Sequence, residues 1–253
     1  LYIQGALASE DGDDAVATAA FAQLLAKSPR GRFAAEAHLG LAESAFNTNA
    51  QTGHPDWAKA LAEYEQVLRY GHDELFGLAL FKSAWCLWRL DRSTEAAKRF
   101  SEVIGLTSQR AHAPGAHGDS KALEDEASKA LVDVLVQDES TSAKDAHAFL
   151  TKLGGEPLAA KLMQGLAAGY EDQGRFAQAI EAWKLLHQLD PLGPEATERL
   201  LAIARGYALE GDDAALVATF TLLLDQHLPA VTLEPKAGLA KWTSATWAKA
   251  QSE

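Results

Sequence analysis

Apolar residues recur every three or four positions along most of the chain, with polar residues on the opposite side, which is the period of an amphipathic helix. The clearest stretch is Leu162 to Pro191, where Ala167, Tyr170, Gly174, Phe176, Ala179, Trp183, Leu186 and Pro191 stand at fixed offsets. Two antiparallel helices are predicted there. The small Ala167 and Ala179 let the helix axes approach, while Tyr170, Trp183 and Leu186 fill the seam. Gly174 permits a tight turn, and Pro191 stops the second helix because its ring cannot continue it.

The same frame recurs along the chain. Ala204, Tyr207, Gly211, Phe220 and Leu223 repeat it, as do Ala84, Leu87, Ala96, Phe100 and Val103. Gly5, Ala8, Ala17, Phe21, Leu24 and Pro29 repeat it at the start. Two copies are degraded. One pairs Leu41, Ala42 and Phe46 with Ala60, Tyr64, Val67 and Leu68 across a lengthened turn, Asn47 to Asp56; the other runs from about Leu123 to Leu153. Over nearly the whole chain this pattern resembles the tetratricopeptide repeat (TPR). The resemblance implies an all-α fold, a right-handed α-α superhelix (solenoid) of about six TPR-like helical hairpins, each packing on its neighbours. A composition rich in Leu and Ala and poor in Val and Ile agrees with helix throughout.

The stretch from Gly105 to Ser120 is rich in Gly, Pro, Ser and His and reads as a flexible loop. It divides the expected solenoid into N-terminal repeats over 1–104 and C-terminal repeats over 121–253. After Pro235 a last amphipathic segment carries Leu239, Trp242 and Trp247, and either caps the array or opens a further repeat. The pattern at Leu1 begins inside a helix, as expected of a mature or trimmed form.

Acids outnumber bases by 35 to 23, giving a net charge of −12. Nucleic acid and anionic membrane, which need concentrated Lys and Arg, are therefore not expected partners. The most apolar stretch, Leu75 to Leu90, is interrupted by Lys82 and Arg89 and is short for a bilayer, so membrane insertion is not expected. The single cysteine, Cys86, excludes an internal disulfide and a cysteine-based metal cluster.

The sequence offers no catalytic constellation. His112 and His117 would need a carboxylate to hold a metal, and loop histidines are more often simply solvated. Asp11, Gly12, Asp13 and Asp14 lack the remaining positions of a calcium loop and read as a turn before an acidic helix start. Glu124, Asp125 and Glu126, like Glu171 and Asp172, are neighbours that point apart on a helix. Cys86 sits between Trp85 and Trp88 with no nearby histidine, which suits a buried thiol. No cofactor, no metal and no catalytic residue is expected.

An excess of aromatics in the segment Phe76 to Leu90 is the informative feature. Leu80, Ala84 and Leu87 occupy the repeat seam, while Leu78, Phe81, Trp85 and Trp88 form a second face at spacings of 3, 4 and 3. Leu39 and Phe46 occupy the matching face of the preceding first helix. Such a face is either covered internally, by the loop after Ile104 or the next repeat, or it is a groove for an apolar or helical peptide. The corresponding positions of later repeats are polar: Lys161, Gln164 and Glu171, then Glu198 and Arg205.

The wording of Lys27 to Phe46 and Ala79 to Ile104 is similar to bacterial envelope TPR proteins, the BamD-like outer-membrane assembly lipoproteins and the TPR components of myxobacterial gliding-motility and envelope complexes. That resemblance implies a non-catalytic protein-protein interaction scaffold in a multiprotein assembly, periplasmic or outer-membrane-associated. A cytoplasmic location is the alternative. Rival functional readings are the helical superstructure of a larger enzyme and a homo-oligomerisation module whose aromatics bury one another in a homodimer.

Overall fold

In a computed structural model, which describes residues 1–47, 54–71, 74–111, 119–138 and 141–232, the described residues form helices and turns and contain no strand. The helices are α1 (Tyr2–Glu10), α2 (Asp14–Lys27), α3 (Ala34–Phe46), α4 (Trp57–Leu68), α5 (Glu74–Arg89), α6 (Ser93–Ala111), α7 (Asp119–Gln137), α8 (Ala143–Asp172), α9 (Phe176–Leu189), α10 (Ala196–Glu210) and α11 (Asp213–Thr232). They divide between two compact units, Leu1–Val134 and Leu135–Glu253.

In the N-terminal unit each helix from α1 to α6 packs on the next, and the first helices of successive hairpins also touch, α1 with α3 and α3 with α5. This is the hairpin repeat that the sequence frame predicts. Ala17, Phe21, Leu24 and Ala8 are buried in the first hairpin; Ala84, Leu87, Ala96, Phe100 and Val103 are buried in the third. Phe21 shows how tight the seam is. A Cβ at Gly5 would stand 2.6 Å from its Cε1, and one at Gly40 would run into the other edge of the same ring. Glycine at both places lets one aromatic ring lie between α1 and α3.

The C-terminal unit packs α8 on α9, α9 on α10 and α10 on α11. Its frame residues Ala167, Tyr170, Ala179 and Leu186 are each 0–1% exposed. The α8 helix is broken at Gly154 and Gly155, the latter at φ 77°, and Pro157 follows the break. The break falls just past Leu153, the expected end of the weak copy that begins near Leu123.

Local chemistry sets the helix starts. The side chains of Asp13, Asp56 and Ser142 accept backbone N–H bonds from Val16, Lys59 and Asp145, and N-caps of this kind contribute about 1 kcal/mol each. The Asp11–Asp14 run is thus a turn and a capped helix start. The expected loop over 105–120 is corrected over its first part: α6 continues to Ala111. Thr107 is buried and its hydroxyl donates to the Val103 and Ile104 carbonyls, a bond compatible with helix, while Gly105 costs a helix only about 1 kcal/mol. The boundary between compact units falls at Val134 and Leu135, within α7, rather than at that loop. His112, His117, residues 48–53 of the lengthened turn, and the segment with Leu239, Trp242 and Trp247 lie outside the described residues.

Candidate functional site

Two surfaces stand out, one in each unit. The first is built on α3, α4 and α5. The stripe Leu78, Lys82, Trp85, Arg89 runs along α5 at intervals of four, three and four, so these residues share one face. Leu78 and Arg89 are exposed, and Trp85 and Trp88 are half-buried. On α3, Leu39 and Phe46 are half-buried too.

The rings and cations of this face are interlocked. Phe46 meets Trp57 edge-on at 5.0 Å and Tyr64 at 6.2 Å. Lys82 Nζ stands 4.4 Å above the Phe46 ring, and the Arg89 guanidinium lies 5.8 Å over Trp57. Trp85 and Trp88 are 4.9 Å apart. Beneath them Glu43 joins three helices: the Tyr64 hydroxyl donates to its Oε1 at 2.6 Å, and Lys82 Nζ donates to its Oε2 at 3.1 Å. Lys82 is therefore neutralised locally, whereas Arg89 has no carboxylate partner among the described residues.

Of the six candidate groove residues, Phe81 is corrected to the interior. It is 8% exposed and packs on Phe100 of α6 at 5.7 Å, and Trp85 lies against the same ring at 5.9 Å. Among the described residues its cover includes Phe100 of the second helix of the same hairpin. The open face is rotated by about one residue from the expected set, so Leu78, Trp85 and Trp88 border it with Lys82 and Arg89. Sequence reading missed Trp57 entirely. Its signal is tertiary: Asp56 N–H donates to the Ala45 carbonyl at 2.8 Å, closing the base of the lengthened turn and bringing Trp57 onto Phe46.

The second surface is a groove of about 350 Å³ in the C-terminal unit, lined by Gln164, Trp183, Glu195, Glu198, Arg199 and Arg205 among others. Here most of the polar groups pair with one another, while Arg199 Nε is buried without a hydrogen-bond partner. Arg205 and the Trp183 indole N–H share Glu171, at 2.9 and 2.8 Å. Arg199 is buried; it donates to Glu195 at 2.9 Å and to the carbonyls of Asp190 and Leu186 at 3.2 and 3.3 Å. Gln164 also donates to Glu195. This groove holds three of the polar positions noted in the sequence, Gln164, Glu198 and Arg205.

Neither surface carries an activated nucleophile. Cys86 is fully buried, and burial pushes its thiol up to about 12, so it stays protonated at neutral pH. Burial and the hydrogen bond to Glu43 hold the Tyr64 hydroxyl well above its ordinary value. Among the described residues no group of three His, Cys, Asp or Glu could hold a metal ion, and no helix is long and apolar enough to cross a membrane.

No family model matches the chain, and no curated protein matches it in sequence. Solved structures align with it loosely. The crystal structure of a MamA protein superposes with a TM-score of 0.37 at 14% identity, covering 92% of this chain and 93% of that one. A Podosopora anserina protein described as a putative kinesin light chain with nearly identical TPR-like repeats covers 78% of this chain at 13% identity, with a TM-score of 0.36 and 97% of its own length matched. A variant form of that protein gives 13% identity and a TM-score of 0.37 over 78% of this chain and 96% of that one.

Proposed function

We propose that this chain is a non-catalytic scaffold that docks another protein on the α3–α5 face, within a multiprotein assembly of the bacterial envelope. The observation that carries the docking reading is the composition of that face. Leu78 and Arg89 are exposed beside the half-buried Trp85 and Trp88, on a rigid helical support. Clusters of tryptophan, arginine and an aliphatic residue are where binding energy concentrates in protein interfaces. The envelope setting, of outer-membrane assembly or gliding-motility type, is supported by the phrasing of the sequence between repeat positions.

Affinity capture from host cells with wild-type protein and Trp85→Ala tests the docking reading. A defined partner retained by the first and lost by the second is expected; identical partner sets with both proteins would contradict it. Fractionation of the same cells tests the setting: recovery with the periplasm or outer membrane supports it, and recovery in the cytosol overturns it.

A further inference from the structure

We propose that α11 is an acid-released cover: uptake of a proton by His187 frees it from α10 while α8, α9 and α10 stay packed.

His187 lies in the last turn of α9 and is 7% exposed. Three helices meet around its ring. The Arg199 guanidinium and the Ala196 backbone face it from α10, and the Gln226 side chain approaches from α11. The imidazole Nδ1 is buried without a hydrogen-bond partner, and so is Gln226 Oε1. Arg199 is tied in place by Glu195 at 2.9 Å and by the Asp190 and Leu186 carbonyls at 3.2 and 3.3 Å.

A proton on the ring sets a second cation beside that guanidinium, in a site closed to water. The opposing influences are identifiable. Asp190 and the C-terminal end of α9 favour a charged ring, and Gln226 offers it a neutral acceptor. The Asp190 carboxylate, however, is 56% exposed, and Glu195 is already bonded to Arg199. Burial and Arg199 prevail and hold the imidazole below its ordinary 6.5.

The helix able to yield is α11. Between Asp213 and Gln226 its buried residues are Thr219 and Leu223, while Val217 and Leu224 are exposed. Its main support is α10, where Leu223 joins Leu200, Leu201 and Ile203 in one cluster with Ile180 of α9. Local opening begins where few apolar groups hold a helix. Arg199 bridges α9 and α10 and keeps them together. Release of α11 brings His187 to water, where the ring takes its proton at the ordinary value. Proton uptake and opening are then one equilibrium, set by the difference in proton affinity between the two states.

Hydrogen exchange read by mass spectrometry at about pH 7.5 and about pH 5.5, corrected for the intrinsic pH dependence of exchange, tests this. Protection over 213–226 should fall severalfold at the lower pH. The ceiling is about tenfold, because an open imidazole titrating at 6.5 is protonated about ten to one there. Protection in α9 and α10 should hold. His187→Gln should give α11 the same protection at both pH values. His187→Phe serves as a second non-titrating variant should glutamine loosen the helix at the higher pH.

An α11 whose protection does not change with pH would overturn the proposal. Equal losses in α9, α10 and α11 would make the event global unfolding and overturn it too. A response retained in both His187 variants would move the proton to another group and remove His187 as the trigger.

Discussion

The two units carry the same repeat frame but finish their open faces differently. In the C-terminal groove Arg205, Glu171 and Trp183 bond to one another, and Gln164, Glu195 and Arg199 form a second set. In the N-terminal unit Glu43 satisfies Lys82 and Tyr64, but Arg89 has no carboxylate partner among the described residues and lies beside half-buried indoles. Repeat seams fix the helices; the residues between seam positions decide how each face pairs its polar groups.

The largest effect should separate internal from surface aromatics. Phe100 is fully buried beneath Phe81 and Trp85, so Phe100→Ala should cost about 3–5 kcal/mol in denaturant unfolding. A loss below about 1 kcal/mol would place the aromatic cluster outside the core. In the C-terminal unit, Arg199→Ala should cost about 1–3 kcal/mol, the scale of hydrogen bonds to a charged group, because Asp190 and Glu195 keep contact with water. Equal stability of variant and wild type would show that this polar set is not what holds α9 to α10.

Ala179 is 1% exposed at the seam of α8 and α9, and Ala179→Leu should force them apart at about 1–3 kcal/mol. An unchanged thermal midpoint would mean the repeat frame is displaced. Arg89→Ala should lie at the other extreme, within about 0.5 kcal/mol of wild type, as exposed substitutions do. The smallest effect concerns pH. Burial, with Arg199 nearby, lowers the His187 imidazole below its ordinary 6.5, so it stays neutral in the fold while the unfolded chain takes up a proton. Its contribution is present above pH 6.5 and lost as pH falls through 6.5 toward the lower folded value. His187→Gln should flatten that part of the stability profile, and an unchanged slope would assign it to other groups.

The hairpins are legible in the sequence because small and large residues recur at offsets that only one helix pair satisfies. The face is less legible. Phe81 and Leu78 are three residues apart on α5, yet one packs on Phe100 and the other meets solvent, a choice set by how α6 lies across the helix. Trp57 is eleven residues beyond Phe46, and only the Asp56 to Ala45 backbone bond reveals that the two rings meet. Gly105 reads as the start of a loop because glycine and hydroxyl residues cluster there. Thr107, turned back onto its own helix, is consistent with the helix continuing.

The most direct test of the open face sets two measurements on Trp85→Ala side by side, with Phe100→Ala as the internal reference. Affinity for the partner captured by the wild type should fall about 30-fold or more, the scale of a truncated hot spot. Unfolding free energy should fall by less than half of the loss seen for Phe100→Ala. A Trp85→Ala protein that binds like wild type, yet loses as much stability as Phe100→Ala, would make Trp85 a core residue and contradict the account.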